Sequence, residues 1–220
     1  MTDIPVGTFT SLQQDSACLF ATRARLEAAP VFDGTDAFTA GRAAAPALVD
    51  FAWRAQAEEL DGLVLELTYR PLGADLDTLA VTVRQVISGL LDAIGTDPGT
   101  ALRDAGTPGW WLTLAGTRWF VVVFAPCYPS TSPRSTHGLT STFLLLQPVH
   151  SFDRHASPKG SVIAPVVRQR IRDAHTVAGC PYDPALAQQD IEALKFIAPL
   201  HQDDPPVTWW QPGLHCPETA

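Results

Sequence analysis

The sequence predicts an α+β domain built around a largely antiparallel central sheet of about four strands, flanked by helices. One strongly amphipathic helical pattern stands ahead of three successive strand patterns, and further helical patterns lie on both sides of this group. The length of 220 residues suits a single domain, because domains commonly hold roughly 100–200 residues. We therefore treat residues 1–220 as one domain.

The N-terminal half contains three helical patterns and one strand pattern. The clearest helix spans Asp77–Ile94, where apolar residues recur at helical spacing and Gly95 suits the end of the helix. A strand is expected at Leu63–Thr68. Two further helices are expected at Ala17–Ala29 and Ala43–Leu60.

The C-terminal half contains the other strands and the closing helices. Strands are expected at Trp110–Leu114, Arg118–Phe124 and Thr142–Gln147, and the first two are joined by a hairpin-like Ala-Gly-Thr connection. Helices are expected at Val162–Thr176 and Pro184–Ile197, and a proline-rich tail over Pro199–Ala220 is expected to dock on the domain.

Charge and composition exclude several classes of protein. The formal net charge is −8 and no block of Lys and Arg occurs, so a nucleic-acid partner is not expected. The N-terminus has neither a basic nor an apolar signal region, and no apolar run is long enough to cross a bilayer. These features predict a cytoplasmic protein with no membrane partner, whose four cysteines are thiols.

Common phosphate, dinucleotide and catalytic signatures are absent, and the distinctive pattern is a series of short motifs. Cys18 follows Ala17 and lies two positions before the aromatic residue Phe20, a Ser-Pro-Arg sequence ends at Arg134, and a Gln-Pro-Val-His-Ser-Phe segment spans Gln147–Phe152. Near the end of the chain lies Cys216-Pro217. Together these resemble the YqcI/YcgG family, whose marks are an N-terminal FPC motif, a QPxxxF segment after a core strand and a C-terminal CPF motif.

That resemblance implies a heme-dependent N-oxygenase. Characterised members of the family oxidise nitrogen in guanidine, amino-acid or aminoimidazole substrates of natural-product pathways. The implied cofactor is heme b, with O₂ as co-substrate. The implied partners are a small nitrogenous substrate and an electron-donating reductase or ferredoxin, and a homodimer is left open.

Several residues are candidates for the iron ligand and its surroundings. Cys216 has the Cys-Pro form of a thiolate donor, and Cys18 is expected at a helix N-terminus, where the helix dipole lowers a thiol pKa. His150 lies within the QPxxxF segment, and His175 is a further imidazole candidate. Arg134 suits a heme propionate, because a guanidinium binds a carboxylate through two hydrogen bonds.

Three residues are candidates for holding the substrate. Glu66 lies on a predicted strand among apolar residues and is suited to a cationic nitrogen, and the alternative, which is the more common one for such a residue, is that it faces water. Trp209 and Trp210 are suited to stacking on a planar group. Phe152 is expected to pack in the core.

Two other classes of function are consistent with the same residues. One is a heme-binding carrier or sensor that does not turn over substrate. The other is a cofactor-free hydrolase or structural protein of the same fold.

Overall fold

The computed structural model describes residues 6–155, 165–181 and 183–212. Five strands form one sheet in the order β1-β2-β5-β4-β3. The strands are β1 (Leu26–Ala28), β2 (Gly62–Leu67), β3 (Leu112–Leu114), β4 (Thr117–Phe124) and β5 (Thr142–Pro148). Three of the strand pairs are antiparallel and β1–β2 is parallel, which confirms an α+β fold with a mixed, largely antiparallel sheet.

The described part of the chain also contains seven α-helices and several short 3₁₀ turns. The helices are α1 (Phe9–Asp15), α2 (Ala37–Arg54), α3 (Leu76–Ala93), α4 (Pro98–Leu102), α5 (Phe152–His155), α6 (Pro165–Val177) and α7 (Pro184–Ala187). The carboxylate of Asp75 caps α3 by accepting from the N–H of Thr78. The Asp77–Ile94 prediction is therefore confirmed to within one residue at each end.

The first face of the sheet packs against α2 and α3 and forms the main core. Alternate residues of the central strands point into it, including Leu65, Val121 and Leu144, none of which is more than 3% exposed. The two helices cross in close contact because both carry a glycine at the crossing. A Cβ at Gly41 would lie 2.0 Å from the carbonyl oxygen of Val86. This tight packing closes the first face.

The C-terminal segment reinforces the first face. The ring of Trp209 stacks on Phe196 with centroids 5.2 Å apart, and its indole N–H donates to the carbonyl of Ala193 at 2.7 Å. Trp210 meets Trp209 edge-on at 5.9 Å. The described part of the tail is thus held by aromatic packing.

The second face of the sheet has a much smaller core. Its fully buried apolar residues are Phe9 and Leu12 of α1 together with Val64 and Phe143 of the sheet. Phe9 contacts Phe143 at 5.4 Å and Phe124 at 5.5 Å between ring centroids. The short helix α1 therefore covers only part of this face.

The prediction of a helix over Ala17–Ala29 was wrong. The α-helix lies earlier, at α1, and this stretch instead forms a short 3₁₀ turn at Ala21–Arg23 and the strand β1. Leu26–Ala28 pairs in parallel with Gly62–Val64, so tertiary strand pairing overrides the local helical preference. This edge strand is also why the sheet has five strands and not about four.

Two other helix predictions needed correction. The helix expected at Ala43–Leu60 begins earlier, because Asp36 caps it by accepting from Phe38 N–H, and it ends at Arg54. The helix expected over Pro184–Ile197 is broken into α7 and a 3₁₀ turn at Glu192–Lys195, with Ile191 in extended conformation. The strands of the C-terminal half and their hairpin are confirmed.

In the described ranges, no helix is both long and apolar enough to cross a membrane.

Candidate functional site

A cavity of about 210 Å³ lies on the second face of the sheet. Its floor comes from alternate residues of β4, namely Phe120, Val122 and Phe124, and from Leu145 and Gln147 of β5. The register places Val122 opposite Leu145 and Phe120 opposite Gln147. The floor is consequently apolar, with one amide at the end of β5.

The cover of the cavity, defined here as residues 9–24, is formed by α1 and the chain that follows it. Gln13 holds this segment together, because its side-chain amide donates to the carbonyls of Ala21 at 2.7 Å and Ala24 at 2.8 Å. Cys18 and Phe20 also line the cavity from this side. The Gln13 side chain thus links α1 to the chain that follows it within the cover.

The remaining wall brings together residues from distant parts of the chain. Arg134 comes from the long loop between β4 and β5, Phe152 begins α5, and Ile171 and His175 come from α6. Phe152 meets Phe120 edge-on with ring centroids 5.6 Å apart. Polar groups on this wall therefore face an otherwise apolar space.

The environment of Cys18 differs from the sequence prediction. It is not at an α-helix N-terminus but in a turn after α1, where its N–H donates to the hydroxyl of Ser16 at 3.1 Å. Burial raises the pKa of the Cys18 thiol, and backbone N–H groups of Phe20 and Ala21 oppose that rise. The expectation of a dipole-lowered pKa was wrong, and in the ligand-free protein Cys18 is a neutral thiol near pH 7.

His175 lies in the last turn of α6 and is 6% exposed. Its ring Nδ1 is 3.5 Å from the sulfur of Cys180. Burial lowers the pKa of His175, and the charge of Arg134 lowers it further while a hydrogen bond with the Cys180 backbone raises it. The imidazole therefore favours its neutral form, which is the form that binds a metal.

Arg134 is 7% exposed and is held from two sides. Its guanidinium donates to the carbonyl of Lys195 at 2.8 Å, and its backbone N–H donates to Ser132 Oγ at 3.1 Å. A carboxylate on the cavity wall, Asp61, accepts from the Arg25 N–H at 2.8 Å and from the Arg154 guanidinium at 2.6 Å. The wall therefore contains a buried guanidinium and a carboxylate that is hydrogen-bonded to Arg25 and Arg154.

His150 lies outside this cavity. It lines a separate surface groove with Trp53, Arg118 and Asp153, and Trp53 is 82% exposed. Among the described residues, its buried Nε2 has no hydrogen-bond partner. Burial lowers the pKa of His150, and the charge of Arg154 adds to this effect. Within the QPxxxF segment, Gln147 and Phe152 thus line the cavity, whereas His150 lines the groove.

Glu66 is placed on the second face but does not line the cavity. It is 8% exposed, and its Oε1 accepts from Thr8 Oγ1 at 2.7 Å and from Ser141 Oγ at 2.8 Å. These bonds tie the start of α1 and the start of β5 to β2. Its role in the structure is that of a latch for the cover, and it is not placed to hold a substrate nitrogen in the cavity.

The two tryptophans predicted to hold substrate lie in the core of the first face. Trp209 is fully buried and Trp210 is 8% exposed, so neither reaches the cavity. The position of the indole rings follows from stacking on Phe196, which the sequence pattern does not reveal. Cys216 lies outside the described residues.

The first part of the cover, α1, was not predicted from the sequence. Phe9, Leu12 and Gln13 line the cavity, yet they were assigned to no element. Phe9 and Leu12 are spaced by three residues, which is the one signal for a buried helical face in that stretch. Gln13 carries no signal, because its partners are backbone carbonyls.

The donor set of the cavity fits heme in its chemistry. Cys18 offers a sulfur donor, His175 an imidazole and Arg134 a guanidinium for a propionate, and the other lining is largely apolar. The volume is smaller than the roughly 300–1,000 Å³ of ordinary ligand pockets, so a macrocycle requires outward movement of a wall. In the described ranges, no cluster of three or more His, Cys, Asp or Glu side chains forms a metal site made of protein ligands alone.

Comparisons with known proteins find no relative for this chain. No protein-family model matches it, and searches of curated proteins and of solved structures give no significant match.

Proposed function

We propose that this chain is a heme-dependent N-oxygenase whose cofactor and small nitrogenous substrate share the cavity on the second face of the sheet. The strongest support is that residues far apart in the sequence line the same cavity. Cys18, Arg134, Gln147, Phe152 and His175 are separated by up to 157 positions in the sequence, yet all line one cavity. The family resemblance had singled out the first four of these residues without reference to their positions in space, and His175 was named only as a further imidazole candidate.

Each residue has a role that follows from its chemistry. Among the described residues, Cys18 or His175 would hold the heme iron, and Arg134 would bind a propionate. When bound, heme supplies O₂ activation with electrons from a reductase or ferredoxin. Phe120 and Phe152 pack edge-on at the wall and exclude water from the reacting nitrogen.

A cysteine would bind the heme iron as a thiolate, whereas a histidine would bind it as a neutral imidazole. Because burial raises the pKa of Cys18, the thiol must lose its proton on binding iron, so affinity through sulfur rises with pH. Because burial lowers the pKa of His175, its imidazole favours the neutral form that binds a metal. We propose a cytoplasmic location, where thiols stay reduced.

The experiment is an absorption spectrum of the protein produced with a heme precursor, then reduced and exposed to CO. A Soret band is expected, and the CO-bound band distinguishes thiolate from imidazole ligation. Turnover is then measured with guanidine, amino-acid and aminoimidazole compounds. A colourless protein that also fails to bind added hemin contradicts the proposal.

The size of the cavity favours a second candidate, a cofactor-free protein that binds a small ligand. A space of about 210 Å³ holds a small molecule without movement of the cover. Under this candidate, small apolar amines protect the cover from hydrogen exchange in protein that contains no heme. Bound heme with no spectral change on adding substrate would instead favour the carrier or sensor.

A further inference from the structure

The end of α6 is built as a tight reversal that depends on Gly179. This glycine has φ of +74°, and its N–H donates to the carbonyl of Thr176 at 3.1 Å. The next N–H, that of Cys180, donates to the carbonyl of His175 at 3.0 Å. These two bonds are the pair that defines a Schellman motif, in which a residue of left-handed conformation folds the chain back over the last helical turn.

The reversal brings the Cys180 side chain against the His175 ring. Residues in the positions of His175 and Cys180 meet in such a motif, and usually their contact is merely apolar. Here the sulfur of Cys180 lies 3.5 Å from Nδ1 of His175, within hydrogen-bond distance for sulfur. The thiol five residues further along the chain therefore contacts one ring nitrogen of the imidazole that lines the cavity, in addition to the hydrogen bond with the Cys180 backbone.

We propose that Cys180 is a positioning residue, which sets the orientation of the His175 imidazole against the cavity. The contact engages Nδ1, so rotation of the ring about its Cβ–Cγ bond breaks it. The consequence for a cofactor rests on the function proposed above. The orientation of the ring itself is a property of the ligand-free protein.

The chemistry of imidazole ligands explains why such a partner matters. A histidine that binds a metal through one ring nitrogen usually has the other bonded to a neighbouring group, which fixes the tautomer and the ring. That neighbour is commonly a carboxylate or a carbonyl, whereas here it is a thiol, a weaker hydrogen-bonding group. Cys180 thus has a role separate from that of Cys18, which lines the cavity itself.

The first arm of the test needs no heme. Nitrogen NMR of ligand-free protein with ¹⁵N-labelled histidine is recorded for wild type, C180S, C180A and C180V, with C127A as the control for loss of a half-buried thiol elsewhere. The ring-nitrogen shifts of His175 are expected to be similar in wild type and C180S and to change in C180A and C180V. Valine keeps the apolar bulk at this position, so it separates hydrogen bonding from packing.

The second arm is a hemin titration of the same five proteins. Loss of an outer partner of a metal ligand usually costs about 10–100-fold in affinity, and we expect the low end, about tenfold, for C180A and C180V because sulfur bonds weakly. C180S and C127A are expected to retain the wild-type affinity.

The two arms fail in different ways. Ring-nitrogen shifts of His175 that are the same in wild type, C180A and C180V overturn the positioning role, whether or not heme binds. Equal hemin affinity in all five proteins overturns its relevance to the cofactor and leaves the proposed function standing. A wild-type protein that binds no hemin overturns the proposed function, and the NMR arm still decides the role of Cys180.

Discussion

The two faces of the same sheet differ in what their residues do. On the first face, Leu65, Val121 and Leu144 belong to the main core, which two long helices cover. On the second face, Val122 and Leu145 lie under a seven-residue helix and form the floor of a cavity. Since alternate residues of each strand point to opposite faces, the same strands contribute to the main core on one side and to the floor of a cavity on the other.

The difference lies in the cover and not in the strands. Two helices of 18 residues close the first face, and glycines at their crossing let them approach. The cover of the second face is short and is held by a few side-chain hydrogen bonds, chiefly those of Glu66 and Gln13. Segments with few buried apolar contacts open at lower free energy, so we expect ligand entry from the cover.

The largest expected effect is on the first face. Trp209→Ala removes a fully buried ring stacked on Phe196 and should lower the free energy of unfolding by about 3–5 kcal/mol, as large aromatic truncations in cores do. Urea denaturation followed by circular dichroism measures it. A loss below about 1 kcal/mol would show that the tail adds little to the first face.

The next effect concerns the latch of the cover. Glu66→Gln weakens the charge-assisted bonds from Thr8 and Ser141, each normally about 1.5–3 kcal/mol, and we expect a loss of about 1–2 kcal/mol because an amide oxygen still accepts. Hydrogen exchange should quicken in α1 and not in α3. Glu58→Gln, at an exposed ion pair with Arg54, is the matched control and should change stability by less than about 1 kcal/mol. Equal effects of the two variants would contradict the latch.

A smaller loss is expected at the cavity wall. Phe152 is half-buried and not a core residue, so Phe152→Ala should cost about 1–2 kcal/mol, less than the core value of about 3–5 that its sequence position suggests. Denaturation alongside Trp209→Ala provides the comparison. A loss as large as that of Trp209→Ala would mean that the second face is packed as tightly as the first.

The smallest change is a pH dependence of thiol alkylation. Burial raises the pKa of Cys127, on the first face, to about 11, and also raises that of Cys18. A raised thiol pKa means less thiolate at a given pH, so iodoacetamide should react slowly with both at pH 7 and faster as the pH rises toward those values. Mass spectrometry of timed samples measures the rates, with urea-unfolded protein as the control. Rapid alkylation of Cys18 at pH 7 in folded protein would contradict its buried, neutral state.

Strong periodicity and turn residues made much of the fold predictable. α3 carries apolar residues at helical spacing with an aspartate cap, and the Ala-Gly connection of the β3–β4 hairpin has both residues at positive φ. β1 was missed because three residues pair at a sheet edge, where partners more than 30 positions away decide the conformation.

The candidate site was predictable only in part. Arg134 and His175 were named from the sequence and do line one cavity, yet nothing in their spacing reveals that they meet. Glu66 does not line the cavity, and the hydroxyls of two distant residues donate to its Oε1. Cys18, named as a candidate iron ligand, lines the cavity, but its expected pKa shift had the wrong sign because burial outweighs the backbone N–H groups nearby.

The central claim is that heme binds at the second face, and matched hemin titrations test it most directly. Cys18→Ala and His175→Ala remove the two described donors of the cavity, whereas Cys127→Ala and His150→Ala remove the same side chains elsewhere. The account predicts that one or both of the cavity variants shift or lose the Soret band while both control variants keep the wild-type spectrum. An unchanged spectrum in both cavity variants, with a shift in Cys127→Ala or His150→Ala, would contradict it.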